Sequence, residues 1–229
     1  MAITNYGRAK KGSRRHIQDY VNDKVDLLNA LILGASTSLM AFGTYELNWK
    51  SPLRNDPSGK DYLEYRDGYL EPLGLADRKD KLTKFWPKNG PQWDALAVAK
   101  GREGDGYILV EAKAHPEELY SAIKASSPAS LDLIDNSIAR TKRFMQANGA
   151  DWTKKHYQLA NRLSHLFFLC HIVCVPAWLV LINFTDDEAH KPTDIKKWLA
   201  TYTETFREMR ISHNSPLLDR VITVFPAVT

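Results

Sequence analysis

The residues best suited to chemistry in this chain are two carboxylates and one amine. Glu111 and Lys113 lie at the end of the apolar run Tyr107–Val110, and Asp94 precedes a second apolar run. Side chains alternate along a strand, so Glu111 and Lys113 share one face, beside the carbonyl of Ala112. This arrangement suits a magnesium ion and a phosphodiester. The alternative is a structural Glu–Lys pair within a sheet.

Three glycines between the two apolar runs predict a β-hairpin. They lie in the segment 100–106, which would join a strand at 92–99 to a strand at 107–113. Directly opposite residues of an antiparallel pair share a face. Asp94 is therefore expected opposite either Glu111 or Lys113.

With these residues the chain resembles the PD-(D/E)XK nuclease superfamily, which has the restriction-endonuclease-like fold. Asp94 matches the first acid and Glu111-Ala112-Lys113 the (D/E)XK element, while Trp93 stands at the position of the motif's proline. The resemblance implies Mg²⁺, with Mn²⁺ as a substitute, held by Asp94, Glu111 and the Ala112 carbonyl. It also implies that Lys113 positions the attacking water or neutralises developing charge.

Three further polar residues have spacings that bear on the site. Some branches of the superfamily place a glutamine on the helix after the motif strand, and Gln158 would be that residue; the alternative is an ordinary surface glutamine. Glu46 alternates with apolar neighbours on a predicted strand, so it is either an extra metal ligand or part of a solvated strand face. Glu64 falls on a predicted helix, Asp61 to Leu73, where its side is expected to face solvent.

The order of predicted elements favours an α/β fold with a mixed β-sheet flanked by helices. It agrees with the αβββαβ core of the restriction-endonuclease-like fold. We expect one domain over residues 1–229, with an inserted helical and loop segment at about 51–90. An amphipathic N-terminal helix is predicted from the spacing of Ile17, Val21 and Leu28. Further elements are predicted at 45–50 (strand), 131–147 and 152–173 (helices), 177–184 (strand), 192–209 (helix) and 220–225 (strand).

Composition is that of an ordinary globular protein able to bury one sizeable core, with 44% hydrophobic and 25% charged residues. A charged N-terminus argues against a secretory signal, and the two cysteines indicate no disulfide framework. The apolar segment Leu166 to Phe184 contains Pro176 and is interpreted as a helix followed by a strand, not as a membrane span. The spacing of His165, Cys170, His171 and Cys174 favours core packing over zinc. A cytoplasmic location is expected.

The net charge of +4 permits a polyanionic partner without requiring one. The loop Lys84 to Pro91 mixes basic and aromatic residues, so Trp86 could stack on a nucleic-acid base; the alternative is packing on the core. Nucleic acid, with DNA named through the family resemblance, is the expected partner. A membrane is not expected, and a homodimer is left open.

The function predicted from these observations is a Mg²⁺-dependent deoxyribonuclease that hydrolyses phosphodiester bonds. The alternative is a non-catalytic nucleic-acid-binding or protein-interaction domain with the same fold. An enzyme that uses Glu111 and Lys113 on another substrate is a third interpretation, because fold does not fix function.

Overall fold

The computed structural model of the protein describes residues 6–188 and 191–228. It has an open sheet of five strands with helices on both faces. The helices are α1 (Gly12–Asp23), α2 (Val25–Gly34), α3 (Thr37–Ala41), α4 (Lys79–Phe85), α5 (Pro128–Phe144), α6 (Tyr157–Phe167) and α7 (Ile195–Glu208). The strands are β1 (Glu46–Ser51), β2 (Ala95–Gly101), β3 (Gly104–Lys113), β4 (Ala177–Asn183) and β5 (Val221–Val224).

The sheet is mixed, as the sequence predicted. Its strands lie in chain order from β1 to β5. The pairs β1–β2 and β2–β3 are antiparallel, and β3–β4 and β4–β5 are parallel. The mixed α/β class is thus confirmed.

The predicted hairpin is confirmed and is tighter than expected. Gly101 pairs with Gly104, so only Arg102 and Glu103 form the loop. Gly104 has φ +141°, a conformation that side-chain-bearing residues rarely adopt. The two-residue loop fixes the register of the strands that carry the motif.

Alternation along the strands produces two hydrophobic cores. Ala95, Ala97, Val110 and Ala112 face the core under α1, α2 and α3. The opposite face packs beneath the later helices, and its strand residues include Leu96, Val98, Leu109, Leu179 and Leu181. Glu111 and Lys113 alternate with Ala112 and so lie on this second face.

The segment between β1 and β2 corrects one prediction. The helix expected at 61–73 is absent from the described structure, where turns and a bridge between Tyr65 and Trp93 occupy that range. Pro72 and Gly68 disfavour a helix there. The inserted segment's helix is α4 instead, which places Leu82 and Phe85 in the core.

Later elements follow the predictions closely, with one change of geometry. The helix predicted at 152–173 begins at Tyr157 and continues beyond α6 as a π-helical turn, Phe168–Val173. The apolar segment ends in β4, and in the described ranges no helix is long and apolar enough to cross a membrane. Asp194 caps α7 by accepting a hydrogen bond from the Lys197 amide at 2.7 Å.

Candidate functional site

Asp94 lies immediately before the first paired residue of β2, close to the β3 strand that carries Glu111. Ala95 pairs with Val110, and the Asp94 amide, one residue earlier, donates to the Val110 carbonyl at 3.2 Å. The Asp94 carboxylate accepts a hydrogen bond from the Ala112 amide at 2.7 Å. The paired residues of β2 and β3 follow the register that would continue to Asp94 and Glu111, one of the two that the sequence allowed, but the ladder is irregular at Asp94, which lies against Val110.

The Ala112 carbonyl faces the same side as Asp94. The neighbouring carbonyl, that of Lys113, accepts from the Phe184 amide on the β4 side at 2.8 Å. Because successive peptide groups of a strand point in opposite directions, the Ala112 carbonyl is directed to the β2 side, where Asp94 lies. The predicted backbone oxygen is therefore close to the first acid.

Glu111 is the centre of a buried network of donors. Its Oε1 accepts from Lys113 Nζ and from Gln158 Nε2, the latter at 2.7 Å, and its Oε2 accepts from Arg162 Nε at 2.6 Å. Burial alone would raise the pKa of Glu111, but the charges of Arg162 and Lys113 outweigh it and lower the pKa. Glu111 is consequently held as a carboxylate.

Helix α6 supplies the two partners of Glu111 that lie outside the hairpin. Gln158 and Arg162 are four residues apart and so lie on one face of the helix. Arg162 also donates to the Gln92 carbonyl at 2.8 Å, and its guanidinium lies 4.9 Å from the centre of the Trp93 ring. Gln158 thus reaches the motif as the resemblance implied.

Sequence reasoning missed Arg162. The available signal was a charged residue one helical turn after Gln158, within a stretch that is otherwise mostly apolar. A buried arginine needs a carboxylate partner.

Asp94 lies among like charges. Burial, followed by the charges of Glu111 and Glu64, raises the pKa of Asp94 to about 8, against the opposing effects of Lys113 and the Ala112 amide. Without a cation, the surroundings of Asp94 therefore favour its protonated form over the carboxylate.

The prediction that Glu64 faces solvent is wrong. Glu64 was expected on a solvated helix face, yet its side chain is only 2% exposed and accepts from Arg14 Nε at 2.7 Å. The reason is the irregular backbone at this point, where Tyr65 bridges to Trp93 and carries Glu64 toward Asp94. Arg14 on α1 comes to the same region from the N-terminal end.

Glu46 is placed away from the site, which corrects its assignment as an extra metal ligand. It begins β1 opposite Lys100 and is exposed. Asp94 lies six residues before Lys100, a span of about 20 Å along a strand. The solvated-face alternative describes Glu46, because β1 runs antiparallel to β2 and starts at the far end of the sheet.

The oxygen ligands at the open end of the hairpin, away from its turn, fit a hard divalent cation. Asp94 and Glu111 provide carboxylate oxygens, the Ala112 carbonyl is directed at the same place, and the raised pKa of Asp94 is what a nearby cation would reverse. Across 6–188 and 191–228, no group of three or more His, Cys, Asp or Glu side chains is arranged to hold a metal ion. A metal site at this point would therefore need the Ala112 carbonyl as its third oxygen ligand.

A cleft opens beside this network. Its volume is about 620 Å³, and its lining includes Arg66, Lys88, Lys124, Gln158 and Arg162. Two of the three side chains that donate to Glu111 therefore also line the cleft. Trp86 lines it as well, but its ring is 3% exposed and packs on the core, as the alternative interpretation of its loop predicted.

Comparison with known proteins gives no match to a family model, to a curated protein or to a solved structure. The resemblance to the nuclease superfamily rests on the residues and on the order of the elements.

Proposed function

We propose that the protein is a metal-dependent nuclease that hydrolyses phosphodiester bonds, with DNA as its substrate. The observation that carries this proposal is the convergence of Asp94, Glu111 and Lys113 at one end of the hairpin, with Gln158 and Arg162 extending from Glu111 to a cleft of basic lining. The choice of DNA rests on the superfamily resemblance.

A divalent cation held by Asp94, Glu111 and the Ala112 carbonyl would supply Lewis-acid activation of the phosphate and of a bound water. The protein's own groups prepare the site for it. Glu111 is kept ionised by Lys113 and Arg162, and the Lys113 ammonium is fixed by its contact with Glu111. Lys113 is thereby positioned to orient a water or to offset negative charge as it develops on the phosphate.

The cleft supports a polyanionic substrate. Lys88 and Lys124 are exposed side chains on its lining, suited to phosphate contacts that hold a strand without reading its sequence. Gln158 and Arg162 connect this lining with Glu111. A strand in the cleft would therefore run past the donors that surround the motif.

One observation favours a second candidate, a non-catalytic nucleic-acid-binding module. Both oxygens of Glu111 already accept hydrogen bonds, from three donors together. Such a satisfied network can serve stability alone. In that case the basic cleft binds nucleic acid and the motif is structural.

The test is cleavage of circular single-stranded DNA and supercoiled duplex DNA with Mg²⁺ or Mn²⁺. Wild type is compared with Lys113→Met and Asp94→Asn, and with Glu46→Gln as the matched control at the other end of the sheet. We expect cleavage by wild type and Glu46→Gln, and a loss of at least a hundredfold in the other two variants. Circular substrates also separate endonuclease from exonuclease action.

Calorimetric titration with Mn²⁺ complements the assay. Binding that Asp94→Asn abolishes and Glu46→Gln retains supports the nuclease. DNA binding by wild type that needs no metal and is followed by no cleavage of either circle would favour the module instead.

A further inference from the structure

A second cavity lies directly beside the cleft. Its volume is about 290 Å³, and Tyr69, Trp86 and His165 are among its lining residues. It shares the wall formed by Trp86, Gly90 and Pro91 with the cleft. We call this cavity the aromatic pocket. Its aromatic lining and its position beside a basic cleft make it a candidate ligand site.

His165 presents a buried acceptor to the aromatic pocket. The imidazole is 1% exposed, and its Nδ1 lies 2.9 Å from the Asn161 carbonyl, so Nδ1 carries the proton and Nε2 is an acceptor. Burial lowers the pKa of His165 to about 3, which keeps the ring neutral. Within the described residues Nε2 makes no hydrogen bond.

Tyr69 presents a buried donor. Its hydroxyl has no hydrogen-bond partner in the described structure, and burial raises its pKa, so it stays protonated. The Tyr69 ring lies 6.0 Å from the imidazole of His165. Buried polar groups are rarely left unpaired, so an unpaired donor and an unpaired acceptor on two residues that line the same pocket indicate a ligand that offers the complementary pair.

The rings around His165 define the shape of that ligand. Trp86, which also lines the pocket, lies 4.9 Å from the imidazole, measured between ring centres, and Tyr69 adds a second ring to the lining. Flat aromatic walls beside a polar edge suit a planar heteroaromatic ring. Nucleobases have this form, because each carries an adjacent donor and acceptor on its Watson–Crick edge.

Helix α6 joins the aromatic pocket to the motif. Gln158, Arg162 and His165 are spaced at i, i+4 and i+7, which places them on one face of the helix. His165 follows Arg162 by about 4.5 Å along the axis. The residue that binds Glu111 and the residue that lines the pocket are thus one turn apart.

We infer that the aromatic pocket binds one unstacked nucleobase of the substrate, with the base edge donating to His165 Nε2 and accepting from the Tyr69 hydroxyl. The identity of the ligand as part of a nucleic-acid strand rests on the proposed function. A base held here would leave its backbone in the cleft, where Arg162 and Gln158 lie.

The test is calorimetric binding in EDTA, which needs neither metal nor cleavage. The probes are deoxyguanosine and thymidine 5′-monophosphates, with deoxyribose 5-phosphate as the probe that lacks a base. We expect wild type to bind at least one nucleotide about tenfold or more tightly than the sugar phosphate. Tyr69→Phe should weaken nucleotide binding about tenfold and leave sugar phosphate binding unchanged.

Tyr69→Phe removes only a hydroxyl that has no partner in the described fold, so the variant is expected to fold; circular dichroism checks this. Gly90→Ala provides a second variant. A methyl group there would lie 3.7 Å from His165 Nε2, and 3.4 Å from both Asp67 Oδ1 and the Trp86 ring, which are ordinary contact distances. It should obstruct the pocket and weaken nucleotide binding at least as much.

Equal binding of nucleotides and sugar phosphate by wild type would overturn the inference, as would nucleotide binding that neither variant changes. These outcomes are separable from those of the cleavage assay. Nucleotide binding without cleavage would support the base-binding pocket and contradict the nuclease proposal. Cleavage without base binding would contradict the pocket inference alone.

Discussion

Buried charge at the residue scale is balanced unequally among three carboxylates. Glu111 contacts Lys113 and Arg162, and Glu64 contacts Arg14. Asp94 instead has only an amide hydrogen bond, and burial, followed by the charges of Glu111 and Glu64, raises its pKa to about 8. Among the three carboxylates, Asp94 therefore has the largest free-energy cost of burial, as expected where function and stability conflict.

This imbalance predicts opposite effects of two similar substitutions. In metal-free buffer at pH 7, Asp94→Asn should leave the free energy of unfolding unchanged or raise it, because the buried Asp94 carboxyl has a pKa of about 8 and must take up a proton on folding, whereas asparagine need not. Glu111→Gln should lower it by about 3 to 5 kcal/mol, because it leaves Lys113 and Arg162 buried without their carboxylate. Urea denaturation in EDTA measures both, and equal losses would contradict the assignment.

His165 predicts a pH effect on stability. Its pKa is about 3 in the folded protein and near 6.5 when free, so the unfolded chain binds more protons between these values. The free energy of unfolding should therefore rise with pH from about 3 to 6.5, by at most about 1.4 kcal/mol per pH unit from this group. His165→Gln should lack that part of the slope in urea denaturation at pH 4 to 7. Identical slopes would show that the imidazole titrates freely in the fold.

At the scale of elements, the hairpin and α6 meet to form the site. The hairpin brings the Asp94 carboxylate to the Ala112 amide, next to Glu111, and α6 brings Gln158 and Arg162 to Glu111. A slip of one residue in β3 would move Glu111 to the opposite face. The precision of the site depends on the packing that holds this hairpin.

Close packing near the hairpin turn gives an element-scale prediction. A Cβ atom at Gly106 would lie 2.5 Å from a ring atom of the fully buried Trp178, so Gly106→Ala should destabilise the fold by about 1 to 3 kcal/mol. Gly34→Ala is the control, because it lies in α2 with no atom within 4 Å, and should be neutral or gain up to about 1 kcal/mol. Thermal unfolding compares the two. If Gly106→Ala unfolds at the same temperature as wild type, the turn can shift to accommodate the methyl group.

At the scale of the whole molecule, the net charge of +4 is too small to identify a partner, so the position of the charges matters more than their sum. Several acidic and basic side chains pair with each other, such as Lys155 with Glu208 and Arg54 with Asp23. Lys88 and Lys124 line the cleft and are exposed. We therefore expect these cleft residues, more than the net charge, to determine how tightly the protein binds a polyanion.

Two substitutions of equal charge test this. Lys88→Ala should weaken binding of single-stranded DNA in EDTA and reduce the slope of log affinity against log salt by about 0.7, the share of one phosphate contact. Lys154→Ala removes the same charge from an exposed side chain that is absent from the cleft lining, and should leave the slope unchanged. Fluorescence anisotropy over a salt series measures both. Equal effects would assign DNA binding to overall charge.

The strands, the hairpin and the shared face of Glu111 and Lys113 could be predicted from the residues alone, because alternation and glycine-rich turns act between near neighbours. The sequence also limited the pairing of the two strands to two registers, of which the turn selected one. Only the tertiary structure placed Gln158 and Arg162 on Glu111, brought Glu64 toward Asp94 and separated Glu46 from both. Those positions depend on how segments far apart in the chain pack across the sheet, and local periodicity carries no information about that packing.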